Sequence, residues 1–191
     1  MKVDLNQLKF EPFQGPGLNL MVLRGHPEHE LLFIATQVMN QAGLKDGKRQ
    51  IQRYKNKEGM YQVRQLVHDL STLDPASEII PGDHPIATFV GSTKQLIGPR
   101  WKDGWLCTES VMYQMLLRGH SPSADAFSHW VCSIVLPTLR RTGTYKYLPE
   151  HGAEAQAAAI ERYSARAAID PTYASKWAHM ASTLSGQIAQ S

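Results

Sequence analysis

Two apolar runs near the start of the chain constrain its fold more than any other feature. They are LNLMVLR at 18–24 and ELLFIA at 30–35, and the polar stretch GHPEH lies between them. Apolar runs of this length around a turn that contains Gly and Pro are typical of an antiparallel β-hairpin. WLCT at 105–108 and IATFV at 86–90, which is flanked by turn-forming residues, each predict a further strand. A small antiparallel sheet is therefore expected.

Helical spacing of apolar residues accounts for most of the remaining chain. The predicted fold class is therefore α+β, with a small antiparallel sheet packed against short helices. Thr36 is expected to cap a short helix at 37–42, and a further helix is predicted over 61–70. Thr108 is expected to cap the helix that follows the WLCT strand, with Glu109 in its first turn.

A long apolar helix that contains a proline is predicted in the second half of the chain. Its inward stripe is formed by Phe127, Trp130, Val131, Ile134, Val135 and Leu139. Pro137 has no N–H to donate to the carbonyl of Ser133 and its ring pushes on that carbonyl, which costs about 3 kcal/mol unless the helix bends. We therefore expect a kink near Ser133. Arg140 and Arg141 lie in the last turn before the terminating Gly143.

The last forty or so residues, from about 150, favour a helical hairpin or extension that follows the sheet-containing part. The second of these helices carries a narrow stripe of large apolar residues, namely Tyr173, Trp177, Met180, Leu184 and Ile188. A narrow stripe of this kind is typical of a helix that binds a partner protein or a second copy of the chain. The alternative is that the helix packs onto its own domain.

The formal net charge of +3 is unevenly distributed along the chain. Residues 45–64 hold seven bases and two acids, a local charge of +5, which leaves −2 for all other residues. A short helix is predicted here, capped by Asp46, with Ile51 and Tyr54 facing inward and the bases mostly facing outward. Such a concentration of charge indicates a surface that binds a polyanion, although many charge runs are only solvated faces.

The two short helices across 36–55 have the dimensions of a helix-turn-helix, and the second carries bases and glutamines. Arginine can read guanine, glutamine can read adenine, and lysine mostly contacts phosphate. The predicted DNA-binding residues of this segment are Lys45, Lys48, Arg49, Gln52, Arg53 and Lys55. Arg140 and Arg141 are predicted to add phosphate contacts; the alternative is that they only neutralise the end of their own helix.

The stretch 105–145, WLCTESVMYQMLLRGHSPSADAFSHWVCSIVLPTLRRTGTY, resembles the second half of the Bro N-terminal (Bro-N) domain, a family common in baculoviruses and in bacteriophage antirepressors. The residues that carry the resemblance are Glu109, Leu117–Arg118, Ala126–Phe127, Trp130–Val131, Val135–Leu136–Pro137, Arg140–Arg141 and Thr142–Gly143–Thr144–Tyr145. The stretch 31–59 is similar to the other block of the family, in which a strand feeds a short helix and then a basic helix. Gln37 stands where family members commonly have aspartate.

The resemblance implies a phage or prophage regulator with an α+β N-terminal domain, associated with DNA binding and with disabling a repressor protein. The predicted organisation is an irregular arm at 1–17, a Bro-N-like domain at 18–149 with a divergent insertion at 60–104, and a helical extension at 150–191. The expected partners are DNA, a repressor protein and a second copy of the chain, in the cytoplasm of a bacterial host. The bend at Pro137 is expected to place Arg140 and Arg141 beside the basic helix, in one composite cationic face.

Catalysis, a metal and a cofactor are not expected. The densest set of potential metal ligands lies in a hairpin turn and lacks the HExxH arrangement of a zinc helix; it consists of His26, Glu28, His29 and Glu30. Ser121, Asp125 and His129 share a helix face, but no GxSxG elbow is present. The cysteines, Cys107 and Cys132, form no CxxC pair. No apolar run reaches the roughly 18 residues of a membrane span, so a soluble, cytoplasmic protein is expected.

Overall fold

Short strands form one sheet in the computed structural model, which describes residues 5–15, 17–73, 84–146 and 148–188. The strands are β1 (Lys9–Gly15), β2 (Leu18–Arg24), β3 (Leu32–Ile34), β4 (Met60–Gln62) and β5 (Trp105–Thr108), in the spatial order β1-β2-β3-β5-β4. The pairs β2–β3, β3–β5 and β4–β5 are antiparallel. The predicted hairpin, the predicted WLCT strand and the α+β fold class are confirmed.

The chain divides into two compact units. Unit 1 comprises Met1–Phe13, Leu20–Asn40 and Lys45–Gln114, and unit 2 comprises Gln14–Asn19, Gln41–Leu44 and Met115–Ser191. The helices of unit 1 are α1 (Ala35–Gln41), whose last residue belongs to unit 2, α2 (Gly47–Tyr54), α3 (Val63–Leu73) and α4 (Pro85–Ile97). α5 (Glu109–Leu117) begins in unit 1 and ends in unit 2.

The core of unit 1 lies between the sheet and the helices α3 and α4. Its buried side chains are Leu5, Leu8, Leu23, Leu32, Ile34, Val63, Leu66, Leu70, Ile86, Phe89 and Leu106. They come from three strands, two helices and the opening segment, so burial of apolar surface ties distant parts of the chain together. This core fixes the positions of the surface helices of unit 1.

The opening segment differs from the expected irregular arm. Leu5–Gln7 form a 3₁₀ turn, and β1 lies at the edge of the sheet beside β2. Pro12 is compatible with this position, because an edge strand has N–H groups that need no partner in the sheet. The buried side chains of Leu5 and Leu8 then anchor the segment to the core of unit 1. Residues 1–4 of the predicted arm lie outside the described part of the chain.

The prediction of a strand at IATFV was wrong, because these residues belong to α4. His84 caps this helix through its side chain, whose Nδ1 accepts a hydrogen bond from the N–H of Ile86 at 3.2 Å, and Pro85 occupies the first turn. Ile86, Phe89 and Thr93 are the buried positions of α4, and their spacing of three and four residues is helical. β-branched residues favour strands only weakly, so the helical spacing and the capped first turn decide the structure here.

Two predicted helix boundaries also require correction. The first helix begins at Ala35, directly after β3, so Thr36 lies inside the helix instead of capping it. The helix predicted over 61–70 begins at Val63, because Tyr61 and Gln62 belong to β4 and pair with β5. Pairing with a strand more than forty residues later overrides the local helical pattern.

Unit 2 consists mainly of helices. They are α6 (Pro122–Trp130), α7 (Leu136–Thr142), α8 (Pro149–Ile169) and α9 (Ala174–Ile188). Ala126, Ala159, Tyr163, Ala181 and Leu184 form their buried core, with Trp177 and Met180 packed against it. The helical hairpin predicted for the end of the chain is thus confirmed as α8 and α9. Small alanine side chains contribute to the core in which these helices pack.

The proline of the long helix is accommodated by a π turn. Val131–Val135 form a π-helical segment between α6 and α7, and the N–H of Leu136 donates to the carbonyl of Val131, five residues earlier. A π turn lets the backbone pass Pro137, whose missing N–H and bulky ring exclude the regular α-helical hydrogen bond to Ser133. The prediction located this irregularity correctly at Ser133. Arg140 and Arg141 lie in the last turn of α7, and Gly143 ends it with a φ of 74°, as predicted.

The apolar stripe predicted for this helix is only partly buried. Phe127 is buried, whereas no residue between Val131 and Thr142 is, and the side chain of Leu139 is 38% exposed. The π turn contains one residue more per turn, so side chains after it leave the face that a 3.6-residue period predicts. The prediction of a continuous buried stripe was therefore wrong.

A hydrogen-bonded chain of aromatic side chains fixes the turn after α7 in unit 2. The indole Nε1–H of Trp130 donates to the hydroxyl of Tyr145 at 3.0 Å. The same hydroxyl lies 3.1 Å from Nδ1 of His151, in the first turns of α8. The Thr–Gly–Thr–Tyr segment is thereby tied to both α6 and α8.

Candidate nucleic-acid interface

The basic helix α2 begins at a locally encoded cap. Asp46 adopts a left-handed backbone conformation, with φ 61° and ψ 69°, and its carboxylate accepts a hydrogen bond from the N–H of Arg49 at 3.4 Å. Aspartate tolerates this conformation better than most residues and is a favoured helix cap. The predicted cap is confirmed, and the only acid of the helix start is engaged in it.

The inward face of α2 is small. Tyr54 is buried and Ile51 is half-buried, which anchors the helix to unit 1. Arg49, Gln52 and Arg53 are exposed, and their spacing of three and four residues places them on one face of the helix. α2 therefore presents two guanidinium groups and one carboxamide side by side to solvent.

Among the described residues, the exposed basic side chains of the predicted site form no ion pair with a carboxylate. Among the residues that the structure describes, the ion pairs are Lys9–Glu11, Arg24–Glu11, Arg64–Asp103 and Arg162–Asp125. None of them involves the exposed bases at the predicted site, which are Lys45, Arg49, Arg53 and Lys55. The side chain of Lys48 lies outside the described part. Arg64 is one of the seven basic residues of 45–64, and it is paired with Asp103. One fewer of these basic residues is therefore available to bind an anion.

The segment after α2 holds the helix against the sheet. Lys57 donates to the carboxamide of Gln114 at 3.1 Å, and its ammonium lies 4.9 Å from the centre of the Tyr54 ring. Gly59 adopts a φ of 88° and its carbonyl accepts a hydrogen bond from the N–H of Thr108 at 2.8 Å. These contacts fix the end of α2 to β5 and to α5.

Arg140 and Arg141 belong to unit 2. Both are exposed, and the Nε–H of Arg141 donates to the carbonyl of Pro137 at 3.2 Å, within α7. This bond fits the role of a cation at a helix C-terminus, where exposed carbonyls concentrate negative potential. Their placement beside the basic helix stays a prediction.

A second group of cations, which the sequence reasoning missed, surrounds Trp101 in unit 1. The ammonium of Lys94 lies 5.6 Å and that of Lys102 lies 5.7 Å from the centre of the Trp101 ring. Arg100 precedes the tryptophan and is exposed, as both lysines are. The signal in the sequence was the run Pro–Arg–Trp–Lys at 99–102, in which bases flank an aromatic residue.

The histidines of the β2–β3 turn line a small cavity in unit 1. The His26 and His29 rings stack at 4.8 Å, and His29 contacts the Tyr61 ring at 4.4 Å. A cavity of about 90 Å³ lies among these rings, Asp69 and neighbouring leucines. Burial, followed by the charge of His29, lowers the pKa of His26 from 6.5 to about 4. His26 is therefore neutral at physiological pH, which fits its Nδ1 accepting a hydrogen bond from the N–H of Glu28 at 3.2 Å.

The side chains that resemble a catalytic triad have separate structural roles in unit 2. The hydroxyl of Ser121 accepts the N–H of Ala124 at 3.0 Å and caps α6. The carboxylate of Asp125 pairs with Arg162 at 3.1 Å, and Nδ1 of His129 lies 3.2 Å from the hydroxyl of Ser133. In these described contacts, Ser121, Asp125 and His129 do not form a hydrogen-bonded Ser–His–Asp triad. Among the described residues, no group of three or more His, Cys, Asp or Glu side chains is arranged to hold a metal ion.

The predicted partner-binding stripe of α9 divides into inward and outward positions. Leu184 is fully buried in the core of unit 2, and Trp177 stacks on Tyr163 at 5.9 Å. Met180 also packs against this core, whereas 55% of Tyr173 is exposed. The side chain of Ile188 lies outside the described part. Partner binding by these residues stays a prediction, and Tyr173 is the described member with the most free surface.

A family model, described as BRO family, N-terminal domain (Bro-N), matches residues 21–137, which is more than half of the chain. The matched range includes β3, both short helices and the segment around Trp101, and it ends at Pro137. No curated protein and no solved structure matches this chain. No helix in the described ranges combines the length and the hydropathy that crossing a bilayer requires.

Proposed function

The chain belongs to the Bro-N family, which is associated with phage and viral regulatory proteins of the antirepressor type, and from this premise we propose that it binds duplex DNA through α2. The observation that carries the proposal is the exposed face of Arg49, Gln52 and Arg53, flanked by Lys45 and Lys55, with no carboxylate paired to any of these bases within the described residues. A protein that recognises a site on DNA needs an exposed surface of unpaired basic and polar side chains of this kind.

The absence of ion pairs around these basic side chains, within the residues that the structure describes, matters energetically. A cation that is already paired with a carboxylate must lose that contact before it can bind a phosphate, and it then contributes little to binding. An unpaired, exposed cation releases counterions from DNA when it binds a phosphate, which is the main sequence-independent source of affinity. Lys45 and Lys55, at either end of α2, are suited to this role.

Arg49, Gln52 and Arg53, which lie between the two lysines, are suited to hydrogen bonding with the nucleobases of DNA. Arginine makes bidentate hydrogen bonds to guanine in the major groove, and glutamine makes them to adenine. α2 has eight residues, or about 12 Å of helix, and presents these groups on one face. An α-helix with its side chains is about 10–12 Å in diameter, so it fits in the major groove of B-DNA, which is about 12 Å wide.

A salt titration of DNA binding tests the proposal. Since Lys45 and Lys55 are each proposed to neutralise a phosphate, we expect log K to fall with log salt at a slope of about −2 or steeper, given roughly −0.9 for each phosphate that is neutralised. The measurement is fluorescence anisotropy of a labelled mixed-sequence duplex between low and moderate salt. A slope near zero, or no binding at low salt, would contradict DNA binding by this surface.

A second candidate function is the binding of a repressor protein by unit 2. The observation in its favour is the exposed apolar pair at the α8–α9 turn, where Ile169 is 82% exposed and Tyr173 is 55% exposed. Aromatic side chains are frequent anchors of protein interfaces because they bury a large area at a small cost in conformational entropy. Binding of this kind would not depend on the charges of α2.

A further inference from the structure

The cluster formed by Lys94, Arg100, Trp101 and Lys102, hereafter the Trp101 cluster, carries a local excess of positive charge in unit 1. The nearest acid in sequence is Asp103, and its carboxylate is engaged by Arg64. Neither lysine nor Arg100 takes part in an ion pair among the described residues. The three cations of the cluster are therefore exposed and have no carboxylate partner within the part of the chain that the structure describes.

The backbone around Trp101 is held in a defined conformation. Gly98 ends α4 with a φ of 95°, and the N–H of Trp101 donates to its carbonyl at 3.0 Å. The N–H of Gly104 then donates to the carbonyl of Trp101, and the carbonyl of Gly104 accepts the N–H of Val63 from α3, both at 3.0 Å. The cluster is thus attached to two helices and to β5, instead of lying on a free loop.

The tryptophan ring further restricts the lysines. Trp101 is half-buried and packs against the core of unit 1, so its ring is a fixed platform. Each ammonium near the ring gains about 0.5–1 kcal/mol from the cation–π interaction at an exposed site. Lysine side chains that are held in place lose less conformational entropy when they bind an anion. The cluster is therefore better prepared to bind phosphate than isolated surface lysines are.

β5 relates the Trp101 cluster to α2 within unit 1. Its first residue follows the Trp101 turn, while the N–H of its last residue, Thr108, donates to the carbonyl of Gly59 in the segment after α2. The first and last Cα atoms of these four strand residues lie about 10 Å apart. The Trp101 turn and the segment after α2 therefore meet opposite ends of the same strand.

We propose that the Trp101 cluster is a second phosphate-binding site, which contacts the backbone of the same DNA duplex that α2 enters. This inference rests on the proposed DNA binding by α2 and adds a second point of contact to it. The two lysines of the cluster bind phosphodiester oxygens and do not read bases, because lysine ammonium groups act as point charges without the directional fork of a base-reading side chain. Two separated contacts fix the orientation of the protein on the duplex.

The test compares two double variants of the full chain. Lys94→Gln with Lys102→Gln removes two charges from the cluster, and Lys9→Gln with Lys176→Gln removes two charges elsewhere, one of them from a lysine that is paired with Glu11 and one from a lysine over Trp177. We expect the first variant to reduce the salt slope by about 2 and the affinity by about tenfold at moderate salt. The reduction should be equal for two duplexes of unrelated sequence. The control variant should bind like the wild type.

The outcomes separate the two proposals. If the wild type shows a steep salt slope and the Lys94→Gln, Lys102→Gln variant retains it, the Trp101 cluster is only a solvated surface and this inference is overturned while DNA binding by α2 stands. If the wild type itself shows no salt slope, both fail. A variant with Lys94→Arg and Lys102→Arg keeps the charges, so it should restore the slope; failure to do so would also contradict a phosphate site. Circular dichroism checks that all variants are folded.

Discussion

Replacing Arg49 and Arg53 together by alanine is expected to weaken the binding of a DNA duplex by about a hundredfold or more. Each bidentate contact between an arginine and a base contributes about 1–3 kcal/mol, and 1.4 kcal/mol corresponds to a factor of ten. The two guanidinium groups are exposed on one face of α2, so both are expected to contact the same stretch of DNA. Alanine has the highest helix propensity, so the helix itself should persist. The measurement is fluorescence anisotropy at fixed salt.

The matched control removes two arginines that lie outside the proposed interface. Arg24 is engaged by Glu11, and Arg166 lies over the Trp177 ring in unit 2. The variant Arg24→Ala with Arg166→Ala loses the same charge, so a purely non-specific effect of net charge would weaken both variants equally. We expect the control to lose less than about threefold in affinity, as removal of distant charges changes mainly long-range attraction. Equal losses in the two variants would contradict a site on α2.

Replacing Gly25 by alanine is expected to lower the free energy of unfolding by about 3 kcal/mol or more. Gly25 follows β2 with a φ of 81°, a conformation that costs an L-residue with a side chain roughly 1–2 kcal/mol. A Cβ atom at this position would also lie 2.3 Å from the carbonyl oxygen of Gln7 and 2.8 Å from the backbone nitrogen of Leu8. Backbone atoms cannot rotate away as a side chain can, so the opening segment or the hairpin must shift. Urea denaturation followed by circular dichroism measures the loss.

Gly91→Ala is the matched control for this substitution in the same unit. Gly91 lies inside α4, and a Cβ atom there would meet no heavy atom of the described residues within 4 Å, apart from its chain neighbours and the backbone of its own helix. Because glycine is the more costly residue in a helix interior, alanine at this position is expected to raise the free energy of unfolding by about 0.5–1 kcal/mol. If Gly25→Ala were as stable as the wild type, this result would contradict the close contact between the opening segment and the hairpin at Gly25.

The part of the site that could be predicted from the sequence is the part that is encoded locally. In α2 the cap Asp46, the inward residues Ile51 and Tyr54, and the outward bases all lie within ten residues of one another. Capping and helical spacing therefore act on the same short segment and agree with each other. The proposed interface on α2 follows from this agreement, and the structure adds that its described bases have no carboxylate partners.

The features that escaped prediction depend on contacts between distant residues. Arg64 counts as a free base in the sequence, but Asp103, thirty-nine residues later, engages it. Lys94 and Lys102 approach the same ring only because Gly98 turns the chain back after α4. A pattern read over ten or so residues contains no information on such pairs.

The same reasoning explains the misassigned secondary structure. IATFV has the composition of a strand, and its helical state depends on a cap by His84 and on burial of Phe89 in the unit 1 core. Conversely, Tyr61 and Gln62 continue a helical pattern but pair with β5. Tertiary burial and strand pairing outweigh propensities of a few tenths of a kcal/mol per residue.

The most direct test of the account is a titration of the isotope-labelled chain with a DNA duplex, followed by the backbone amide chemical shifts. If α2 is the element that binds DNA, the largest changes will fall on Gly47–Tyr54, with further changes near Trp101 and none at the α8–α9 turn. Changes confined to the residues around Ile169 and Tyr173, with α2 unaffected, would contradict the account, because the DNA duplex would then contact unit 2 and not α2.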